Sequence, residues 1–223
     1  GERKTFDFNI SLPNEKKLIS EVYYEADING NFYSRALENI IYDHITPQTR
    51  FPKSDVSLIK FDINFKANKI AYLMGSGDKV PESLSLVGYE VDLLEKSDIN
   101  INKLENYDAL IIGVRAFNSD KSLYNIKSQI TEYMNGGGNV IVQYNTSRNI
   151  DVNKFAPYPF KLSRNRVSQE DAKVEIINKN HEVLNYPNKI KLEDFDGWVQ
   201  ERGLYFPVSW SDEYQTVISS NDV

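Results

Sequence analysis

Two hydrophobic patterns follow each other along the chain. In residues 1–66, short stretches such as Lys4–Ile10 alternate apolar and polar side chains, and this period of two predicts β-strands. Similar stretches at 18–26 and 56–63 predict further strands, with Asn29-Gly30 suited to a tight hairpin turn. We therefore expect residues 1–66 to form a small β-rich segment, β-sandwich-like or the edge of a β-sandwich.

From residue 67 onward the apolar positions become continuous. The runs 69–74, 108–113 and 139–144 are typical of parallel strands covered on both faces, and the spacing in 122–134 is helical. Strands that alternate with helices predict an α/β domain over 67–223 with a parallel sheet. Six side chains of these runs are expected to be buried: Ile70, Leu73, Leu110, Ile112, Ile141 and Val142.

Polar residues follow each predicted strand, where open α/β sheets bind ligands. Each set of polar residues has two interpretations, one as a ligand-binding site and one as a structural feature. The Gly75-Ser-Gly-Asp78 turn either cradles an anion on its N–H groups or packs strand against helix, with Asp78 capping the helix. Arg115 either holds an anionic ligand or forms a salt bridge. The neighbouring strand ends carry further candidates that suit a carbohydrate or peptide, or that satisfy loop backbone: Asn118, Gln143, Tyr144 and Asn145.

A dense stretch of aromatic and polar residues comes near the end of the chain. It contains five candidate binding residues: Trp198, Gln200, Glu201, Arg202 and Tyr205. An aromatic plate with flanking polar groups is typical of sugar-binding clefts, but an aromatic plug with an internal ion pair fits equally well. We expect one crevice at the carboxyl edge of the sheet to contain five side chains: Asp78, Arg115, Tyr144, Trp198 and Glu201.

Composition and charge exclude several classes of protein. Hydrophobic residues make up 40% of the 223 residues and aromatics 12%, which argues against a disordered chain. The net charge of −6 gives no basic surface for nucleic acid, and no apolar run is long enough to span a bilayer. Without cysteine there is no disulfide and no cysteine nucleophile.

Five strings of the sequence resemble a known family. They are Gly75-Ser-Gly-Asp-x-Val-Pro81, Tyr107-Asp-Ala-x-Ile-x-Gly-Val-Arg-Ala-Phe-Asn118, Gly137-Gly-Asn-Val-Ile-Val-Gln-Tyr-Asn-Thr146, Pro157-Tyr-Pro159 and Asp194-Phe-Asp-Gly-Trp-Val-Gln-Glu-Arg-Gly-Leu-Tyr-Phe206. Together they resemble the C-terminal region of the large PIG-L/LmbE-family deacetylases of Bacteroidetes-type bacteria.

The resemblance implies a domain organisation and a location. In these proteins an N-terminal zinc deacetylase domain precedes β-rich segments and a flavodoxin-like domain similar to class I glutamine amidotransferases and to ThuA domains. Residues 67–223 would be that last domain, and residues 1–66 the end of the β-rich part. The resemblance also implies a periplasmic or secreted protein.

Two departures from the family pattern bear on activity. The deacetylase motif His-Pro-Asp-Asp is absent, and the two histidines, His44 and His181, lie far apart. In the amidotransferase fold the nucleophile is a cysteine at the tight turn after a central strand. Aligning the strands places Tyr144 there, and a phenol without an adjacent histidine is a poor nucleophile. Neither glutamine hydrolysis nor deacetylation is therefore expected of this chain.

These considerations lead to three expectations about function. The first is a non-catalytic accessory domain that binds a glycan, with the deacetylase domain of the parent protein as its partner. The second is a purely architectural domain that packs on the catalytic domain. The alternative is a cysteine-free, ThuA-like carbohydrate-active hydrolase or lyase with Asp78, Glu201 and Tyr144 as acid and base. No cofactor, metal, nucleic acid or membrane span is expected in any of the three.

Overall fold

The structure is a computed structural model, and it describes residues 4–11, 18–60, 63–66, 68–197 and 203–220. The chain divides into two compact units, residues 1–63 and residues 64–223. We refer to them as the N-terminal unit and the C-terminal unit and describe each by itself.

The N-terminal unit consists of short antiparallel strands that pair two by two. β1 (Leu18–Tyr23) pairs with β6 (Asp55–Lys60), β2 (Ala26–Ile28) with β3 (Asn31–Tyr33), and β4 (Glu38–Ile40) with β5 (Gln48–Arg50). The predicted hairpin turn between β2 and β3 is present, with positive φ angles of 54° at Asn29 and 81° at Gly30. None of the described side chains of this unit is buried.

The first predicted strand, Lys4–Ile10, is wrong. Residues 4–11 have no regular secondary structure, and Phe6 and Phe8 are exposed. An alternating pattern makes a strand only when a neighbouring strand supplies hydrogen bonds. None of the described strand pairs includes this segment.

The C-terminal unit is an α/β unit built on a four-stranded parallel sheet. Its strands are β7 (Lys69–Leu73), β8 (Glu90–Leu94), β9 (Ala109–Ile112) and β10 (Asn139–Val142), in the order β10–β9–β7–β8. This confirms the predicted parallel sheet and the three strands expected at 69–74, 108–113 and 139–144.

Helices join these strands. The α-helices are α1 (Val80–Leu86), α2 (Ile101–Leu104), α3 (Ala116–Ser119) and α4 (Lys127–Asn135), and the 3₁₀ helices are Lys96–Asp98, Lys121–Ile126, Val152–Lys154, Glu182–Leu184 and Leu192–Phe195. The helical spacing predicted over 122–134 therefore corresponds to a 3₁₀ turn that continues into α4.

Two small antiparallel pairs follow the sheet in the chain. β11 (Phe160–Leu162) pairs with β13 (Pro207–Trp210), and β12 (Val174–Ile176) pairs with β14 (Ile218–Ser220). Among the described residues, no helix is long and apolar enough to cross a membrane.

The core lies on the two faces of the parallel sheet. One face carries Leu73, Leu110 and Ile112 against α2, α3 and α4, and the other carries Ile70, Tyr72 and Ile111 against α1. The predicted burial of Ile70, Leu73, Leu110 and Ile112 is confirmed. The predicted burial of Ile141 and Val142 is wrong: they are 53% and 41% exposed, because β10 forms an edge of the sheet.

Candidate functional site

The loops after β7 and β9 pack directly against each other. The Ser76 N–H donates to the Val114 carbonyl oxygen over 2.7 Å. A Cβ on Gly75 would overlap that oxygen and lie 2.8 Å from the carbonyl carbon. Protein backbone therefore fills the point where the chain switches from one side of the sheet to the other, the usual ligand crevice of such folds. This packing supports the interpretation of Gly75 as part of a turn that lets the strand pack closely, and not as part of an anion site.

Asp78 belongs to a hydrogen-bond network inside the same region. Its carboxylate accepts from the Tyr72 hydroxyl at 2.7 Å, from the Val80 N–H at 2.9 Å and from the Val114 N–H at 3.4 Å. Gln143 Nε2 donates to the Tyr72 hydroxyl at 2.6 Å. Burial, and then the hydrogen bond to Asp78, raise the pKa of Tyr72 well above its usual value. The network ties β7, β9 and β10 together at their carboxyl ends.

Sequence reasoning missed the role of Tyr72 in this network. A tyrosine within a continuous apolar strand is the available signal, because a buried hydroxyl needs a hydrogen-bond partner. Asp78, six residues later, and Gln143, at the end of β10, supply those partners. Gly77 lies beside the network with a φ of 99°, and a Cβ there would meet no atom within 4 Å. Glycine is therefore favoured at this position by the backbone conformation and not by lack of space.

Arg115 occupies a sharp turn between β9 and α3. Its φ of 56° and ψ of 24° are left-handed, and α3 begins at the next residue. A strained strand-to-helix turn of this kind presents the nucleophile in hydrolase folds. Tyr144, which the sequence alignment placed at the nucleophile turn, has no positive φ, and no helix directly follows it. The guanidinium of Arg115 offers only N–H donors and cannot serve as a nucleophile.

Asn118 joins two loops through its side-chain amide. Its Nδ2 donates to the carbonyl oxygens of Thr146 and Arg148 at 3.2 and 3.1 Å, and its Oδ1 accepts from the Thr146 N–H at 2.8 Å. Every polar atom of this amide is thus engaged with backbone. Asn118 fixes the loop that follows β10.

An apolar pocket of about 460 Å³ lies where β9 and β10 end, and we call it the strand-end pocket. Its floor comes from the sheet and α4, and its opposite wall from β11 and the segment 204–207. The lining side chains are Ile112, Phe117, Ile130, Met134, Val140, Val142, Gln143, Tyr144, Asn145, Phe155, Ala156, Pro157, Phe160, Leu162, Leu204, Tyr205, Phe206, Pro207 and Tyr214. Apart from Tyr205, the lining residues after 146 were not foreseen, although Pro157-Tyr-Pro159 and nearby aromatics were a signal.

A second pocket, of about 450 Å³, shares part of this wall. Four side chains line both pockets: Phe160, Phe206, Pro207 and Tyr214. The second pocket is also lined by Trp210 and Ile218, which do not line the strand-end pocket. Phe160 packs edge-on against both Phe155 and Tyr214, with ring centroids 6.3 and 5.7 Å apart. The two pockets are thus separated by aromatic side chains.

Neutral polar groups are placed within the apolar strand-end pocket. Gln143, Tyr144, Asn145 and Tyr205, all candidates from the sequence, line it. Asn145 is 5% exposed; its Nδ2 donates to the Gln143 carbonyl oxygen at 3.0 Å, but its Oδ1 is buried without a partner among the described residues. A buried acceptor without a hydrogen bond is energetically costly.

The remaining candidates are distributed differently. Gly75, Gly77, Asp78, Arg115 and Asn118 do not line the strand-end pocket, although the Arg115 guanidinium lies over the Tyr144 ring at 6.0 Å. The structure therefore separates Asp78 from the pocket that contains Tyr144. Four candidates lie outside the described residues: Trp198, Gln200, Glu201 and Arg202.

The described pocket lining contains no Asp, Glu, His, Lys or Arg. Within the described part of the chain, no group of three or more potential ligand residues is placed to hold a metal ion. His181 accepts from the Val183 N–H at 3.2 Å, where a 3₁₀ helix begins. The lining thus offers stacking and neutral hydrogen bonds, with no paired acid and base.

Comparisons with known proteins gave no relative. No protein-family model, no curated protein and no solved structure matches this chain.

Proposed function

We propose that this chain is a non-catalytic carbohydrate-binding domain and that the strand-end pocket is its binding site. The observation that carries the proposal is an apolar pocket that has seven aromatic side chains in its lining together with the neutral polar groups of Gln143, Tyr144 and Asn145. A sugar has C–H faces that pack on aromatic rings and hydroxyl groups that donate hydrogen bonds. It therefore complements both features of the pocket.

The polar groups of the pocket support binding rather than catalysis. Gln143, Tyr144 and Asn145 are neutral, and glycoside hydrolysis normally uses a pair of carboxyl groups. Asp78, the described carboxylate of the hydrolase alternative, accepts three hydrogen bonds from protein donors outside the pocket. Because these hydrogen bonds occupy the Asp78 carboxylate, they favour the accessory role over the role of a hydrolase or lyase.

We propose further that the C-terminal unit is a flavodoxin-like domain of the class I glutamine amidotransferase type. Numbered along the unit, its strands lie in the order 2-1-3-4, which agrees with the first four strands of the flavodoxin-like order 2-1-3-4-5. The strained turn at Arg115 supports the same relationship. On this proposal the parent protein is a PIG-L/LmbE-type deacetylase, periplasmic or secreted, whose catalytic domain this unit assists by binding glycan or by packing on it.

The test is calorimetric titration of the purified chain with neutral oligosaccharides of gluco, manno and galacto configuration. We expect binding of at least one series, and at least about tenfold weaker binding in Tyr144→Ala and Asn145→Leu. Asn145→Leu removes the unpaired acceptor without opening a cavity, so its unfolding midpoint should remain close to wild type.

Tyr42→Ala is the matched control, because Tyr42 is an exposed ring (60%) in the N-terminal unit. It should bind as the wild type does. A folded wild-type chain that binds none of the series would overturn the carbohydrate proposal.

A further inference from the structure

We propose that the strand-end pocket selects sugars that bear a carboxylate, and that Arg115 is the residue that binds this carboxylate. This inference rests on the proposed function, because it specifies the ligand of the same pocket. Three observations carry it: the backbone strain at Arg115, the position of its guanidinium, and the composition of the pocket lining.

The backbone at Arg115 is strained and firmly held. Its N–H donates to the Tyr144 carbonyl oxygen over 2.9 Å, and its own carbonyl oxygen accepts at 3.0 Å from the Asn118 N–H, the Ser119 N–H and the Ser119 hydroxyl. Glycine adopts a φ of 56° without cost, whereas a residue with a Cβ does not. An arginine at such a strained position is a candidate for a functional side chain.

The side chain of Arg115 extends over the rim of the pocket. It is exposed, and its guanidinium lies 6.0 Å from the centre of the Tyr144 ring, which lines the pocket. A cation–π contact of this kind holds the guanidinium near the ring without using its N–H donors, which are left available to a ligand. None of the ion pairs of the described residues includes Arg115.

The described residues of the pocket lining carry no charge, so within this part of the chain a charged ligand group would be neutralised at the rim. A carboxylate matches the two parallel N–H donors of a guanidinium better than it matches an ammonium group. A sugar acid would thus place its ring against the aromatic side chains of the pocket, its hydroxyls near the neutral polar groups of Gln143, Tyr144 and Asn145, and its carboxylate at Arg115. Each part of the ligand then meets a group that the structure provides.

The experiment compares galacturonate oligomers with galactose oligomers of equal length, by titration calorimetry at fixed ionic strength. We expect the wild type to bind the acidic series at least about tenfold more tightly. Arg115→Gly should abolish this preference while its unfolding midpoint stays equal to or above that of the wild type, because glycine relieves the strain. Arg115→Lys should retain only part of the preference, since a lysine lacks the paired donors.

Arg164→Gln is the control, because it removes the same charge from another exposed position of the C-terminal unit. It should keep the wild-type preference. Equal affinity of the wild type for both series would overturn this inference and leave the carbohydrate proposal standing. Binding of neither series would overturn both. A preference that persists in Arg115→Gly, or that is lost in Arg164→Gln, would also reject the role of Arg115.

Discussion

The two units of this chain use similar side chains in different ways. In the C-terminal unit, apolar residues of a four-stranded sheet are covered by helices, and Tyr72, Leu110 and Ile112 have no exposed surface. In the N-terminal unit, Phe32 and Phe51 are 65% and 57% exposed, and none of the described side chains is buried. Both units are rich in aromatic and branched residues, so composition does not account for the difference.

The difference comes from how many strands pair and what covers them. A two-stranded sheet has too little area to enclose a side chain, whereas a wider sheet flanked by helices can enclose whole rows. Folding free energy from apolar burial should therefore come largely from the C-terminal unit. Three comparisons between the units test this, in order of decreasing expected effect.

The largest effect is expected from truncating an isoleucine in each unit. Ile70→Ala in β7 removes a buried side chain (5% exposed) and should lower the free energy of unfolding by about 2–5 kcal/mol. Ile59→Ala in β6 removes a side chain that is 51% exposed and should cost less than about 1 kcal/mol. Urea unfolding followed by circular dichroism measures both, and equal costs would contradict the assignment of the core.

An intermediate effect is expected from adding a methyl group at a glycine. Gly75→Ala should cost about 1–3 kcal/mol or more, because the new Cβ overlaps the Val114 carbonyl group. Gly30→Ala should cost only about 1 kcal/mol, because no atom lies within 4 Å and the left-handed φ of 81° is the sole penalty. Thermal unfolding measures the stability of both variants. A Gly75→Ala variant as stable as the wild type would contradict the tight packing of the two loops.

The smallest effect is expected on the way folding stability declines at alkaline pH. The unfolded chain ionises Tyr72 near its usual pKa of 10.0, while burial raises the folded pKa, so folding stability declines as the pH rises above about 10. Tyr72→Phe should make this decline shallower by up to about 1.4 kcal/mol per pH unit. At neutral pH it should cost about 1–3 kcal/mol, because Asp78 and Gln143 lose a partner.

Tyr23→Phe is the control in the N-terminal unit. Its hydrogen bond to Glu21 also raises the pKa of Tyr23, but the ring is 59% exposed. Because the large shift is that of the buried Tyr72, the decline above pH 10 should become only slightly shallower in Tyr23→Phe, and much less so than in Tyr72→Phe. Equal changes in the two variants would show that burial of Tyr72 is not the cause.

The parallel sheet could be predicted because its signal is local. Continuous apolar runs identify β7, β9 and β10 wherever they lie in the sheet. Their lateral order depends on contacts between distant residues, so the edge position of β10 and the exposure of Ile141 were not predictable from the runs. The wrong prediction for Lys4–Ile10 has the same cause. Its apolar and polar residues alternate as in a strand, but none of the described strands pairs with it.

The candidate site could be predicted only in part, for a similar reason. Gln143, Tyr144 and Asn145 follow a strand that the pattern identifies, and they do line the pocket. The opposite wall comes from residues such as Phe160 and Tyr214, which the sequence separates from β10 by an irregular segment. The left-handed backbone at Arg115 was equally hidden, because the residue type there is not one that favours a positive φ.

The close approach of the loops after β7 and β9 has a consequence for how this chain can diverge. A Cβ at Gly113 would lie 2.8 Å from the Gly75 nitrogen and 3.2 Å from the Asp78 carboxylate, so each glycine leaves room for the other loop. A mutation at either position is disfavoured unless the facing loop changes as well. Homologues that retain this crossing should therefore keep glycine at both positions. The rim of the pocket around Arg115 and Tyr144 would then be free to diversify.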